Sequence, residues 1–140
     1  MSLVLDASLA IAWCIEKEQT PGAMALLDQV GEQGAAAPAL WPLEVTNTLM
    51  MASRRKRVPA DRRDDLIAML RDLPVTLDAA TAGQAWGATV LLAERHRLSV
   101  YDAAYLELAL RRDLPLATLD EGLRKAAVQA GVAVLPASLG

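Results

Sequence analysis

Short apolar segments alternate with longer amphipathic segments along the whole chain, and this alternation limits the fold more than any other feature. Short apolar runs are typical of buried strands, and the longer segments carry apolar residues at helical spacing. Strands are predicted at residues 3–5, 35–37, 75–77, 115–118 and 132–135, and helices at residues 8–15, 20–34, 42–57, 59–73, 79–96, 99–112 and 121–130. Strands separated by helices favour a mostly parallel sheet that is covered on both faces. We therefore expect a single α/β domain over residues 1–140.

The composition fits this expectation and excludes several kinds of protein. A chain of 140 residues, of which 54% are hydrophobic and 22% charged, is typical of one globular domain. The single cysteine, Cys14, excludes an internal disulfide, and one Cys with one His excludes a Cys/His zinc site. Asp6 interrupts the first apolar run, and the longest uncharged stretch, residues 79–93, is too short to cross a bilayer. We expect a cytoplasmic protein without a signal peptide or a membrane segment.

Four acidic residues stand where a parallel sheet would bring them together. Asp6 directly follows the first strand, and Asp120 lies just past the fourth. Glu44 and Asp102 fall in the first turns of two predicted helices. In open parallel sheets, sites form outside the carboxyl ends of the strands. We therefore expect these four carboxylates at one edge of the sheet.

Each carboxylate, taken alone, has a simpler explanation. Acidic residues at helix N-termini cap free N–H groups and interact favourably with the helix dipole. Ser99 and Asp102 form the S/T-x-x-D/E pattern of a capping box, and Asp120 can cap the last helix. Glu44 is explained in the same way as a first-turn acid, whereas Asp6 fits less well because it directly ends a buried strand.

Taken together, the four carboxylates indicate a metal site. Carboxylates at one edge would repel one another, and a hard divalent cation removes that repulsion. Mg²⁺ and Mn²⁺ prefer oxygen ligands, polarise phosphate groups and lower the pKa of bound water, which is the chemistry of phosphodiester hydrolysis. The sequence has no G-x-x-x-x-G-K-[ST], G-x-G-x-x-G or G-x-S-x-G motif that would indicate another chemistry.

The net charge of −3 is unusual for a protein that binds nucleic acid, but the charges are unevenly distributed. Without the four candidate site residues, the 17 acidic residues fall to 13 against 14 basic residues. Six of those 14 lie close together, at Arg54, Arg55, Lys56, Arg57, Arg62 and Arg63. This cluster is either a solvated helix end, where cations are favoured, or a patch that binds phosphate or a partner.

The acidic residues lie within segments that resemble a known family. Leu5-Asp6-Ala7-Ser8, then Glu44 just inside a helix, Tyr101-Asp102-Ala103-Ala104-Tyr105 and Thr118-Leu119-Asp120 resemble the four acidic motifs of PIN domains. Their order and spacing are similar to those of the VapC toxins of prokaryotic toxin–antitoxin pairs. The resemblance runs from residue 3 to about residue 135 and implies a PIN-like, three-layer α/β/α fold.

The resemblance also implies an activity and partners. It implies an endoribonuclease that depends on Mg²⁺ or Mn²⁺, with Asp6, Glu44, Asp102 and Asp120 as catalytic and metal-binding residues. Ser8 and Thr118 match positions where the family often has a hydroxyl near the metal, and Asn47 lies one turn after Glu44, where both can face the site. The family usually forms homodimers that are inhibited by a VapB-type antitoxin, whose tail crosses the groove that binds RNA.

An antitoxin helix would need an apolar groove on the toxin. The helices at 20–32 and 57–73 carry apolar residues that we expect mostly in the core, with some lining such a groove. These residues are Met24, Leu27, Leu66, Ile67 and Leu70.

Three alternatives remain at this stage. The chain could be a PIN ribonuclease of RNA processing that has no antitoxin, or a binding module that has kept the fold and lost the chemistry. A phosphorelay receiver domain has a similar length, but Asp6 has no acidic neighbour and the only Lys residues are at 17, 56 and 125.

Overall fold

Five parallel strands form one sheet in the computed structural model, which describes residues 1–139. The strands are β1 Val4–Leu5, β2 Ala35–Pro38, β3 Val75–Asp78, β4 Leu116–Ala117 and β5 Val134–Leu135, in the order β3-β2-β1-β4-β5. Val4 pairs with Ala36 on one side and with Leu116 on the other, so β1 lies at the centre. The predicted three-layer α/β/α architecture is confirmed, and every pairing within residues 1–139 is parallel.

Eight α-helices connect and cover the strands of the described chain. They are α1 Ala7–Ala12, α2 Pro21–Gln33, α3 Trp41–Arg54, α4 Ala60–Arg71, α5 Thr81–Gln84, α6 Ala88–His96, α7 Val100–Arg112 and α8 Glu121–Gln129, with a 3₁₀ helix at Glu16–Glu18. Two of them begin at the caps that the sequence predicts: Thr20 Oγ1 accepts from the N–H of Ala23, and Ser99 Oγ accepts from the N–H of Asp102. None of the helices within residues 1–139 is both long and apolar enough to cross a membrane.

The single helix predicted for residues 79–96 is wrong. The chain forms α5, turns, and begins α6 after Gly87, whose φ of −138° and ψ of −94° are not helical. Glycine tolerates such a conformation because it has no Cβ, and the apolar spacing on either side cannot reveal the turn. The helix predicted for residues 42–57 also ends early, at Arg54, because Lys56 adopts a left-handed φ of 59°.

The core is built on the central strands and on α7. Val4, Leu5, Leu116 and Ala117 are fully buried, and α7 packs across β1, β2 and β4. With no Phe in the chain, Leu and Ala supply most of the packing. This arrangement fixes the first turn of α7 against the centre of the sheet.

Candidate active site

The four predicted carboxylates converge on one pocket. Asp6 directly follows β1, Asp120 follows β4, and Glu44 and Asp102 lie in the first turns of α3 and α7. All four line a pocket of about 540 Å³, as does Ser8. The parallel sheet accounts for Asp6, Glu44 and Asp120, because the chain leaves β1, β2 and β4 toward a helix at the same edge. Asp102 is brought to this edge by α7, which follows α6 and packs across the same strands.

Asp6 is held by two hydroxyl groups. It is only 5% exposed, and its Oδ2 accepts from Ser8 Oγ at 2.6 Å and from Thr118 Oγ1 at 2.7 Å. Each hydroxyl in turn accepts from a backbone N–H, that of Leu119 for Ser8 and that of Asp120 for Thr118. The two hydroxyl oxygens also lie 3.1 Å from each other, and Oδ1 receives no side-chain hydrogen bond within residues 1–139.

Glu44 is held from the other side of the pocket. Its Oε1 accepts from the phenolic O–H of Tyr105 at 2.5 Å, and Tyr105 is itself fully buried in the core. Tyr105 lies one turn after Asp102 on α7, so the same helix supplies one carboxylate of the site and orients another.

The carboxylate of Asp120 also stabilises its helix, as the simpler explanation predicts, whereas the side chain that caps α7 is Ser99. Asp120 Oδ1 accepts from the N–H groups of Gly122 at 2.9 Å and Leu123 at 3.3 Å, which caps α8. The Oδ2 atom of Asp120 takes part in neither bond. For Asp102, the cap is formed by its backbone N–H with Ser99 Oγ at 3.0 Å. Capping and a role in the pocket are therefore compatible in Asp120, and the bond from Asp102 to Ser99 involves only its backbone.

The carboxylates raise one another's pKa. Burial raises the pKa of Asp6, opposed by its hydrogen bonds from Ser8 and Thr118, and the charge of Asp120 raises it further. Burial also raises the pKa of Asp102, to about 6, with further increases from Asp6 and Asp120. The pKa of Glu44 rises mainly through burial, and its hydrogen bond from Tyr105 opposes that rise. The pocket thus holds excess negative charge at neutral pH and favours a cation.

The donor set fits a hard divalent ion that keeps most of its own water. The pocket offers carboxylate oxygens without Cys or His, which is what Mg²⁺ and Mn²⁺ prefer. Within residues 1–139, however, no three His, Cys, Asp or Glu side chains form a ready-made metal cage. The arrangement therefore suits an ion bound by few direct ligands and several waters, as is usual for Mg²⁺.

The three supporting residues occupy different positions. Ser8 lines the pocket, and Thr118 is fully buried beneath it, where it contacts Asp6. Asn47 is exposed and does not line the pocket, whereas the next residue, Thr48, does.

Sequence reasoning missed residues that position or surround the acids. Tyr105 belongs to the motif Tyr101-Asp102-Ala103-Ala104-Tyr105, but no role was assigned to it from the sequence. Its position three residues after Asp102 on a helix places it on the same face and could have indicated one. Arg55 and Arg57, at the end of α3 and just beyond it, line the same pocket. The sequence feature that could have identified them was the run of basic residues at 54–57. That run did not decide whether the cations are solvated or bind a ligand.

Comparisons with known proteins identify the family that most of the chain matches. The model of the PIN domain family matches residues 3–129. Ribonuclease VapC3 from Pyrobaculum aerophilum is 30% identical over 123 residues, which cover 88% of this chain and 92% of that protein.

Two solved structures share the fold. The crystal structure of PAE2754 from Pyrobaculum aerophilum matches with a TM-score of 0.71 and 22% identity, over 99% of this chain and 94% of that one. FitAcB from Neisseria gonorrhoeae matches with a TM-score of 0.63 and 18% identity, over 94% of this chain and 95% of that one. The family match and the VapC3 relative favour the PIN resemblance over a receiver domain, and this chain belongs to the PIN domain family.

Proposed function

We propose that this protein is an endoribonuclease that requires Mg²⁺ or Mn²⁺ and acts as the toxin of a type II toxin–antitoxin pair. The observation that carries the proposal is the convergence of Asp6, Glu44, Asp102 and Asp120 on one pocket, in a chain that is 30% identical to a VapC ribonuclease. Their mutual repulsion supports a cation in this pocket, and two arginines at its rim support an anionic substrate.

Within this proposal the four carboxylates hold the metal, directly or through water. When bound, the ion supplies Lewis acidity that polarises a phosphate and lowers the pKa of water. Asp6 is the most rigid ligand, because Ser8 and Thr118 fix Oδ2 and leave Oδ1 free of side-chain donors. Asp120 would have Oδ2 available for such an ion, since Oδ1 accepts the hydrogen bonds that cap α8. In the absence of metal, burial and the charges of Asp6 and Asp120 raise the pKa of Asp102 to about 6, so a bound cation would relieve this repulsion.

The residues around the carboxylates orient them and bind the substrate. Tyr105 keeps Glu44 turned into the pocket through its hydrogen bond to Oε1. Arg55 and Arg57 at the rim would bind the phosphates next to the reacting one, because guanidinium groups pair well with phosphate oxygens.

The test of the activity is cleavage of a labelled RNA with Mg²⁺, with EDTA, and with Mg²⁺ restored after EDTA. We expect cutting only with the metal, and a loss of at least about 100-fold in Asp102→Asn, which removes a ligand charge with little change in shape. Asp113→Asn is the matched control, because Asp113 ends the same helix in a left-handed conformation that Asn tolerates. Cutting in EDTA at the full rate, or an active Asp102→Asn variant, would contradict the proposal.

The toxin role has its own test. Expression of the wild-type chain should arrest bacterial growth, and co-expression of the adjacent gene should restore it. The Asp102→Asn variant should be harmless at the same expression level. A soluble, active wild-type enzyme that leaves growth unaffected would instead favour a ribonuclease of RNA processing without an antitoxin.

An apolar groove between α3 and α4 supports the proposed antitoxin partner. It has a volume of about 380 Å³, and its lining includes Trp41, Val45, Leu49, Ile67 and Leu70. Of the five residues predicted for the core or for such a groove, Ile67 and Leu70 line it, although Leu70 is also buried in the core, as is Leu66. Met24 and Leu27 are partly buried against the core. A groove with this lining suits the apolar face of an amphipathic helix.

A homodimer is also part of the proposal. The segment from α5 to α7 exposes large apolar side chains, of which Trp86 is 89%, Leu91 65% and Leu110 41% exposed. Leu91 and Leu110 line one shallow groove between α6 and α7. Exposed apolar residues clustered in this way are typical of a protein–protein interface, and a second copy is the occupant we propose.

A further inference from the structure

A second groove continues from the acidic pocket and carries the opposite charge. It has a volume of about 790 Å³ and shares two lining residues, Ile15 and Arg57, with that pocket. Its cations are Lys17 on the 3₁₀ helix, Lys56 and Arg57 in the turn between α3 and α4, and Arg62 on α4. We call these four residues and the space between them the basic groove.

The cations of the basic groove are largely without partners. Within residues 1–139, Lys17, Lys56 and Arg62 form no salt bridge, and Arg57 has only an exposed one at 3.4 Å to Glu18. By contrast, Arg111 at the far end of α7 is bonded to two carboxylates. Solvated cations repel one another when they converge on one groove, so the arrangement favours an anionic ligand.

The other residues of the groove do not offset this charge. Glu16 is the one acidic side chain that lines it. Burial raises the pKa of the Cys14 thiol to about 11, so the thiol stays neutral at physiological pH. Among the described residues, the lining of the groove therefore has four cations and the carboxylate of Glu16, and one of the four cations, Arg57, is also paired with Glu18.

A polyanion fits this surface better than a protein partner does. Without a bound cation, the carboxylates of the acidic pocket repel phosphates, so an RNA strand also needs an adjoining surface of opposite charge. The basic groove adjoins the pocket through Arg57, whose exposed ion pair to Glu18 is weak enough to open. An amphipathic protein helix would find its apolar surface between α3 and α4 instead.

We infer that single-stranded RNA leaves the acidic pocket over Arg57 and runs along the basic groove, where Lys56, Arg62 and Lys17 bind its phosphates. This inference rests on the proposed function, since it gives the path of the substrate through the same site. Contacts of this kind add affinity without reading sequence, because they involve only the backbone.

Binding of a labelled single-stranded RNA of about 12 nucleotides in EDTA, at several salt concentrations, tests the inference without cleavage. The Lys56→Gln/Arg62→Gln variant should bind about tenfold more weakly at low salt and lose about 0.7 of the logarithmic salt slope for each contact removed. The control is Arg71→Gln/Arg112→Gln, because Arg71 and Arg112 end α4 and α7 away from the pocket and their loss changes the net charge equally. A third variant, Arg95→Gln/Arg97→Gln, alters a different cationic groove that lies beside α8.

The inference is supported if only the first variant loses affinity and salt dependence. It is overturned if all three lose affinity equally, if Arg95→Gln/Arg97→Gln loses the most, or if an acidic peptide of equal charge binds as well as RNA and with the same sensitivity. Cleavage is measured separately with Mg²⁺. If RNA binds along the groove but is never cut, the proposed ribonuclease activity is refuted and the RNA path is not. If RNA is cut and the first variant binds it with unchanged affinity, the RNA path along the groove is refuted and the activity is not.

Discussion

At the scale of single residues, the site depends on carboxylates whose free atoms are set by their neighbours. Ser8 and Thr118 both form hydrogen bonds to the same oxygen of Asp6, and Asp120 uses one oxygen to cap α8. These hydrogen bonds therefore determine which carboxylate oxygens, Oδ1 of Asp6 and Oδ2 of Asp120, stay available to a ligand in the pocket. This kind of support around a ligand is what makes metal affinity sensitive to residues that never touch the ion.

A stability measurement can separate the metal site from simple helix capping. The pKa of Asp102 rises from 3.8 to about 6 on folding, so its ionised form destabilises the fold; this penalty develops as the pH rises from about 4 and is complete above about 6. In EDTA at pH 8, Asp102→Asn should therefore be more stable than the wild type, by on the order of 1 kcal/mol after allowance for solvent screening, or a few degrees in Tm. At pH 4 the two should melt together.

Metal should reverse this order. Mg²⁺ that binds only the folded state raises the Tm of the wild type by mass action, and Asp102→Asn should gain less. Thermal melts in EDTA and in millimolar Mg²⁺ at both pH values measure all of these effects. A lower Tm for the variant in EDTA at pH 8, with an equal response to Mg²⁺, would mean that Asp102 only supports its helix.

The residue scale also separates what the sequence could predict from what it could not. The four acids were predictable because the residue type, and its position after a strand or at a helix start, are both local features. The bond between Glu44 and Tyr105 was not, because it joins residues 61 positions apart. The same holds for Thr118 and Asp6, which are 112 positions apart. The hydroxyls were named from the resemblance, but their geometry required the fold.

At the scale of elements, α7 connects the site to the rest of the domain. Its first turn carries Asp102, its middle supplies Tyr105, and Arg111 in its last turn joins a buried ion cluster. In that cluster, Arg111 donates to Asp78 Oδ1 at 3.1 Å and to Glu107 Oε2 at 2.8 Å, and both acids are only 5% exposed. The cluster fixes α7 to the end of β3, at the edge of the sheet.

The ion cluster gives a prediction for stability. Arg111→Met leaves two buried carboxylates without a cation and should cost about 3–5 kcal/mol, whereas Arg112→Met, one residue along, should cost little. Arg111 holds the pKa of Asp78 below its usual value of 3.8, so this stabilisation is present above about pH 4 and is lost as the pH falls further. In urea denaturation, the free energy of unfolding of Arg111→Met should lie below that of the wild type at pH 7, and the difference should be smaller at pH 3. Equal melts of the two variants at pH 7 would contradict the argument.

Element boundaries were less predictable than element types. Every predicted strand is present, including the Ala-rich strand β2, which was predicted as a short buried strand and has four buried residues between β1 and β3. The predicted helix over residues 79–96 failed because Ala and Thr spacing looks helical on both sides of Gly87. Backbone turns at glycines or at left-handed residues such as Lys56 leave the apolar spacing unchanged, so no periodicity detects them.

At the scale of the whole molecule, charge and apolar surface lie in different places. The acidic pocket and the basic groove adjoin, while exposed apolar side chains gather on the segment from α5 to α7. A chain with a net charge of −3 can thus present a cationic path for RNA and still offer apolar faces to proteins. Distribution, rather than the sum of charges, decides which partners each surface suits.

The proposed dimer yields a prediction at this scale. Leu91→Arg places a charge in the centre of the exposed apolar face and should convert a dimer to a monomer in analytical ultracentrifugation, because an unpaired charge is costly in an interface. Val128→Arg is the control, since Val128 is 64% exposed on α8. The free energy of unfolding of the monomeric unit should change little in either variant. A wild-type chain that is monomeric at all concentrations would contradict the dimer.

The three tryptophans lie in three different settings, and this gives each proposed contact its own fluorescent reporter. Trp13 is buried and donates to the carbonyl of Ala23, and Trp41 is buried beside the apolar groove, without a partner for its indole N–H within residues 1–139. Trp86 is 89% exposed. In the separated monomer, iodide should therefore quench Trp86 and spare the other two. A second copy that covers Trp86 would protect it from iodide and shift its emission to the blue. A helix that enters the apolar groove would instead change the emission of Trp41. One unlabelled sample therefore distinguishes the two kinds of assembly.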